Sequence, residues 1–199
     1  FAYIGNHSHS HDYLTKFPFQ KFVEDIEKSI KIFNDKLGYN PSFFSYPFGE
    51  YNLEQKNYIS NNFEFAFGQH SGVIDLNKDR YELPRFPINE KYGEIKRFKE
   101  VISYLPLQYK IIKPENKFMN DRENPPKMMI EFFEDQKNLE NINCFSNEGS
   151  KWRKTKIVLI DNILNINFAE KFIERRGRIN CSLKDESGWR FLGFQFVQN

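Results

Sequence analysis

Apolar residues recur at helical spacing soon after the start of the chain. Phe19, Phe22, Val23, Ile26, Ile30, Phe33 and Leu37 are separated by Lys, Glu and Asp, which predicts an amphipathic helix. Pro18 suits its first turn and Gly38 its C-terminal stop. The run "NPSFFSYPFGEY" then reads as a strand ending in a loop marked by Pro and Gly. Asn52 is placed to cap a second helix through about Asn61, and "FEFAFG" follows as a strand that runs into the loop "QHSG". "RYELPRFPI" is a further short extended piece, confined by its prolines to a strand end or edge. "GEIKRFKEVISYL" predicts a third helix with Ile95, Phe98, Val101, Ile102 and Leu105 facing inward. Strands alternating with helices imply β/α units and a parallel sheet or barrel.

After Pro114 the pattern changes. "KPENKFMNDRENPP" is polar and rich in Pro, the texture of a linker. Beyond it lie "KMMIEFF", "NINCF", "KTKIVLI", "ILNINF", "GRINCSL" and "WRFLGFQF", separated by Asn-, Asp- and Gly-bearing turns. "AEKFIER" fits either a short helix or a strand-to-strand connection. The expected organisation is an α/β domain over residues 1–114, a linker over 115–126 and a small antiparallel β-sandwich over 127–199.

Charge narrows the field of partners. Lys and Arg number 29 against 27 Asp and Glu, so the net charge is 29 − 27 = +2, and the two signs are interspersed. That pattern makes no electrostatic track for nucleic acid or an anionic membrane. No apolar run approaches the roughly 20 residues a membrane-spanning helix needs. The opening "FAYIG" reads as the end of a buried strand, without initiator Met or signal peptide, so the chain is expected to be the downstream part of a longer protein. Any export signal would then lie upstream of Phe1, which leaves an exported or periplasmic location open; oligomeric state is not legible. Cys144 and Cys181 are the two cysteines, and no histidine lies beyond His70, so they make no zinc site. A disulfide and two buried thiols both remain open.

The candidate chemistry sits in "GNHSHSHDYL", which holds His7, His9 and His11 with Asp12 beside them. Neutral imidazole is a common ligand for zinc and related metals. On a helical turn His7 and His11, four apart, converge and His9 points away; on a strand all three share a face. Gly5-Asn6 breaks the incoming strand, which favours the turn. The alternative is a polar surface loop. The spacing also differs from the H-x-H-x-D-H of metallo-β-lactamase-like hydrolases, because His11 and Asp12 stand in reversed order and His70 alone is left downstream. Two histidines are an incomplete set, since a catalytic zinc has three protein ligands and one open position.

"NHSHSH" resembles the H-[ST]-x-x-H motif of the polysaccharide deacetylases, the NodB-homology group, and "FFSYPFGEY" resembles their next motif, ending in P-[YF]-G. "YPFG" is closest to the poly-N-acetylglucosamine deacetylase branch. The two motifs stand in the family's order with a helix between them, and the resemblance runs from Phe1 to about Leu105. It implies that residues 1–114 are the C-terminal part of a (β/α) barrel. It implies a divalent metal, most often zinc, with His7 and His11 as ligands and Ser8 bracing the loop by a hydrogen bond. The family's third ligand and its general base are adjacent aspartates in an earlier motif that is missing here, so this fragment by itself is expected to be inactive; Asp12 reads as a helix-start residue, against the alternative of a substitute ligand. Tyr46, Pro47, Phe48 and Gly49 would wall the sugar groove, against the alternative of a plain strand-to-helix turn. Many members carry an Arg two residues before that proline; Ser45 stands there, and Arg85 in "LPRFP" is a candidate replacement or else a surface ion-pair residue. His70 would be the general acid, or a loop surface residue. The implied activity is metal-dependent hydrolysis of an N-acetyl group on a polysaccharide or amino sugar. The alternative is a non-catalytic carbohydrate-binding protein or inactive homologue, using exposed aromatics such as Trp152 and Trp189.

Overall fold

The computed structural model describes residues 3–198, which form two compact units. The expected buried strand end at Phe1 and Ala2 lies outside the described residues, while Tyr3 and Ile4 next to it are exposed. The molecule is a mixed α/β protein, with three α-helices and no closed barrel among the described residues.

The first unit spans the chain to Gln69 together with Leu76–Pro84. Helix α1, Phe19–Leu37, follows the predicted apolar spacing and buries Phe22, Ile26 and Ser29. It ends at Gly38, whose φ of 74° lets its N–H reach the Asn34 carbonyl. Strand β1, Phe43–Ser45, pairs in parallel with β2, Phe65–Phe67. Between them lies α2, Leu53–Asn62, opened by a capping box in which Asn52 and Gln55 exchange side-chain and backbone bonds. Single parallel bridges, Asn6 to Phe44 and Phe67 to Leu83, extend the pair on either side, so four segments align in chain order. Phe22, Ile26, Phe44, Tyr46, Ile59 and Ala66 form the core beneath them.

That core rests on a polar network with a pH signature. The buried Tyr51 hydroxyl donates to Glu82, and Lys56 pairs with Asp79 and Glu82. Burial, and then the Asp79 and Glu82 carboxylates, push the Tyr46 phenol well above its usual value; burial and then Glu82 do the same to Tyr51. Burial opposes the Lys56 charge, but the carboxylates of Glu82 and Asp79 outweigh it and raise this group too. All three shifts have one sign: protons stay bound in the folded unit where the unfolded chain releases them. Their contribution is full below about pH 10 and falls as pH rises further. In an alkaline titration two tyrosines should therefore ionise only together with loss of helical circular dichroism; tyrosinate absorbance that appears ahead of unfolding for every tyrosine would contradict this.

The second unit comprises His70–Asp75 and Arg85–Asn199. The division thus falls well before Pro114. Helix α3, Ile95–Ile102, forms where the periodicity places it, but none of its residues is buried, and Ile95 and Ile102 are 68% and 64% exposed. The inward face expected for it is not formed. Strands β3 (Leu105–Pro106), β4 (Ile111–Lys113) and β5 (Phe118–Met119) precede β6 (Met128–Glu131), β7 (Asn143–Ser146), β8 (Arg153–Lys154), β9 (Lys156–Ile160), β10 (Ile163–Asn167), β11 (Arg176–Asp185) and β12 (Gly188–Gln198). One sheet has the order β4-β6-β10-β9; the other is β3-β12-β11-β7-β8 with β5 also on β12. Met128 and Ile130, Leu164 and Ile166, Ile179 and Leu183, and Phe194 and Phe196 bring both sheets into one core. The polar segment read as a linker is woven into this unit: β5 pairs with β12, Met119 is buried, and the Asn124 side chain bonds both backbone groups of Phe172. "AEKFIER" is a connection between β10 and β11 that drops Phe172 into the core. Cys144 and Cys181, register partners on β7 and β11, form a disulfide.

Candidate functional site

The histidine loop is built from Asn6 outward. Asn6 is buried and joins the β1 edge through its N–H to the Phe43 carbonyl, while its carbonyl accepts from Ser45 N–H. Its side-chain amide donates to Ser29 Oγ at 2.8 Å, and its Oδ1 accepts from Ser8 N–H at 2.9 Å. Ser8 and His11 both take left-handed backbone conformations, with φ of 64° and 55°. Ser8 Oγ accepts from His11 N–H at 3.0 Å, closing the loop on itself. The His9 and Ser10 N–H groups donate to the two carboxylate oxygens of Asp25 on α1, at 2.8 and 2.9 Å.

The His7 and His11 rings come together with centroids 4.8 Å apart. They do so without a helical turn: the two left-handed residues fold the segment back, so the convergence comes from loop geometry rather than from the i, i+4 helical spacing expected. His7 Nδ1 lies 2.6 Å from the Ser45 carbonyl oxygen. A carbonyl only accepts, so Nδ1 carries the proton, and in the neutral ring Nε2 keeps its lone pair for a ligand. Asp12 does not cap the next turn, Leu14–Lys16, which is preceded by Tyr13. Among the described residues no group of three or more His, Cys, Asp or Glu stands ready to hold a metal ion.

The "YPFG" turn abuts this loop. Tyr46 is fully buried and donates its hydroxyl to the Tyr81 carbonyl; Pro47 and Gly49 are buried as well. Phe48, half-buried with φ of 58°, places its ring 4.8 Å from His11 and stacks on Tyr13 at 3.9 Å. Of the four residues in this turn, Phe48 is the one whose ring meets the histidine pair. Ser45 contributes its backbone carbonyl, through His7. His70 and Arg85 belong to the second unit, where Arg85 N–H donates to the His70 carbonyl and His70 is buried. Sequence reasoning missed Asn6, Tyr13 and Asp25. Tyr13 could have been found as the aromatic nearest the histidines; nothing in the spacing of α1 distinguishes Asp25 from its other charged residues.

Residues 2–65 match the family model for polysaccharide deacetylases. The matched stretch contains the histidine loop, α1, the "YPFG" turn and α2, and covers less than half of the chain. No curated protein and no solved structure matches the chain.

Proposed function

We propose that the first unit carries the metal loop of a deacetylase, a hydrolase that cleaves the carbon–nitrogen bond of an N-acetyl group on a polysaccharide or amino sugar. The observation that carries this reading is the His7–Ser45 bond, which leaves the Nε2 lone pair of His7 free to ligate, on a ring packed against His11, within the stretch matched by the family. Two imidazoles suit zinc, so the donor set fits two positions of a three-ligand site, with His7 and His11 as the residues that would hold the ion. When bound, such an ion polarises the amide carbonyl and lowers the pKa of a bound water. The chain's own residues orient and border the site. Ser45 fixes the His7 tautomer, Ser8 braces His11, and the Phe48–Tyr13 pair offers apolar ring surface for a pyranose face. The sequence has no adjacent Asp-Asp pair, so the reading assigns this chain no base and no activity of its own.

The chain-ordered parallel segments from Asn6 to Leu83 support part of a NodB-type barrel in the first unit, and the two sheets with a common core support a β-sandwich in the second. The "YPFG" turn supports the poly-N-acetylglucosamine branch. A disulfide between β7 and β11 favours an oxidising compartment. Among the described residues no helix is long and apolar enough to cross a membrane.

The test is zinc titration of the metal-free chain by calorimetry. His7→Ala and His11→Ala should each weaken binding at least about tenfold, as losing one of few ligands requires. Wild-type affinity retained in both variants overturns the reading.

A second reading, glycan binding by the second unit, is favoured by Trp152, Trp189 and Phe145, which are 52%, 47% and 44% exposed. Aromatic faces of this kind stack on sugars, and Lys184 lies over the Trp189 ring. Soluble N-acetylated glycan in a native gel should retard the wild-type chain and retard a Trp152→Ala/Trp189→Ala variant less; equal retardation of both dismisses the idea.

A further inference from the structure

We propose that Asp25 is a positioning residue, a carboxylate clamp on α1 that holds His7 and His11 in ligating geometry by binding the loop between them. The proposal rests on the reading that these two histidines share a metal. Between them the backbone contains a left-handed Ser8, and His11 itself is left-handed. Such non-glycine conformations are strained, so an exposed loop of this kind needs outside support to keep one shape.

That support comes from one face of α1. Asp25 and Ser29 are four residues apart and lie on the same side of the helix. Ser29 holds Asn6, just before His7, and Asp25 holds His9 and Ser10, between the two ligands. The helix is itself anchored, since Phe22 and Ile26 on either side of Asp25 are buried in the core. Successive backbone N–H groups form a concavity suited to an anion, and bonds to an ionised acceptor are roughly twice as strong as neutral ones. Here the anion is the Asp25 carboxylate, one oxygen for each amide. With both oxygens committed to the backbone, Asp25 acts on the histidines through the loop and not as a ligand.

The experiment compares wild type with Asp25→Ala, Asp25→Asn and the control Glu24→Ala, an exposed neighbour on the same helix. Three quantities are read: zinc affinity by calorimetry, amide hydrogen exchange at His9 and Ser10, and the melting temperature of the metal-free chain. Asp25→Ala should weaken zinc binding about 10- to 100-fold, the usual effect of removing a partner that orients a ligand, and should release protection at both amides. Asp25→Asn, which keeps one acceptor oxygen and the side-chain shape, should fall between; it carries the test should Asp25→Ala fail to fold. Glu24→Ala should bind as wild type does. Zinc affinity unchanged in the Asp25 variants, with or without a lower melting temperature, overturns the clamp and leaves the metal reading intact. A wild-type chain that binds no zinc overturns the metal reading, and the clamp with it.

Discussion

Replacing both Cys144 and Cys181 with alanine should cost the protein about 4 kcal/mol of stability. The bond joins residues 37 apart in sequence. Loop-closure entropy for a link of that length, released to the unfolded chain when the link is cut, comes to about 4 kcal/mol at room temperature. Domains of this kind have roughly 5–15 kcal/mol in all, so the loss is a large share. The cross-link joins β7 to β11 at register partners, and both side chains sit in the core shared by the two sheets. Urea unfolding followed by circular dichroism should show a markedly lower midpoint for the double variant, and the same shift for wild type under a reductant. An unchanged midpoint in both would mean that the link constrains little the unfolded chain does not already lack.

The second large effect is expected at Gly49, and Gly38 supplies its control. Both glycines are left-handed, with φ of 68° at Gly49 and 74° at Gly38. A side chain at Gly38 meets nothing within 4 Å, so Gly38→Ala should cost only the conformational penalty, about 1–2 kcal/mol. At Gly49 a Cβ would stand 2.5 Å from the Gln69 backbone nitrogen. Overpacking against backbone adds about 1–3 kcal/mol, so Gly49→Ala should cost about 2–5 kcal/mol. Because Phe48 is the preceding residue, the same change should disturb its ring contact with His11, visible as altered ring-proton shifts of that histidine. Equal losses at the two glycines would show that the steric overlap is relieved without cost.

How far the site could be read in advance depended on which part of it was local. His7, Ser8 and His11 stand out because rare residues are crowded into one segment, and the Ser8 brace was expected from the motif resemblance. The route by which the rings meet is not local in this sense. Spacing of four suggests a helical turn, but spacing carries no information about a left-handed Ser8 held by bonds to Asn6 and His11. Asp25 was invisible for the same reason: its partners are backbone amides 15 and 16 residues away, and backbone amides have no sequence signature.

The elements of the fold divide in a similar way. The sequence by itself determined α1, with its apolar stripe and Gly38 stop, the Asn52-capped α2, the "YPFG" turn and most strands after Lys127, because periodicity, caps and turn residues act over a few neighbours. Only the tertiary structure decided that α3 buries none of its residues, that the polar stretch after Pro114 supplies a strand to β12, that the two cysteines bond, and that Phe48 of its turn meets a histidine. Those outcomes depend on which surfaces compete for burial and on pairings across tens of residues, where local preference is weak and the packing of the whole unit decides.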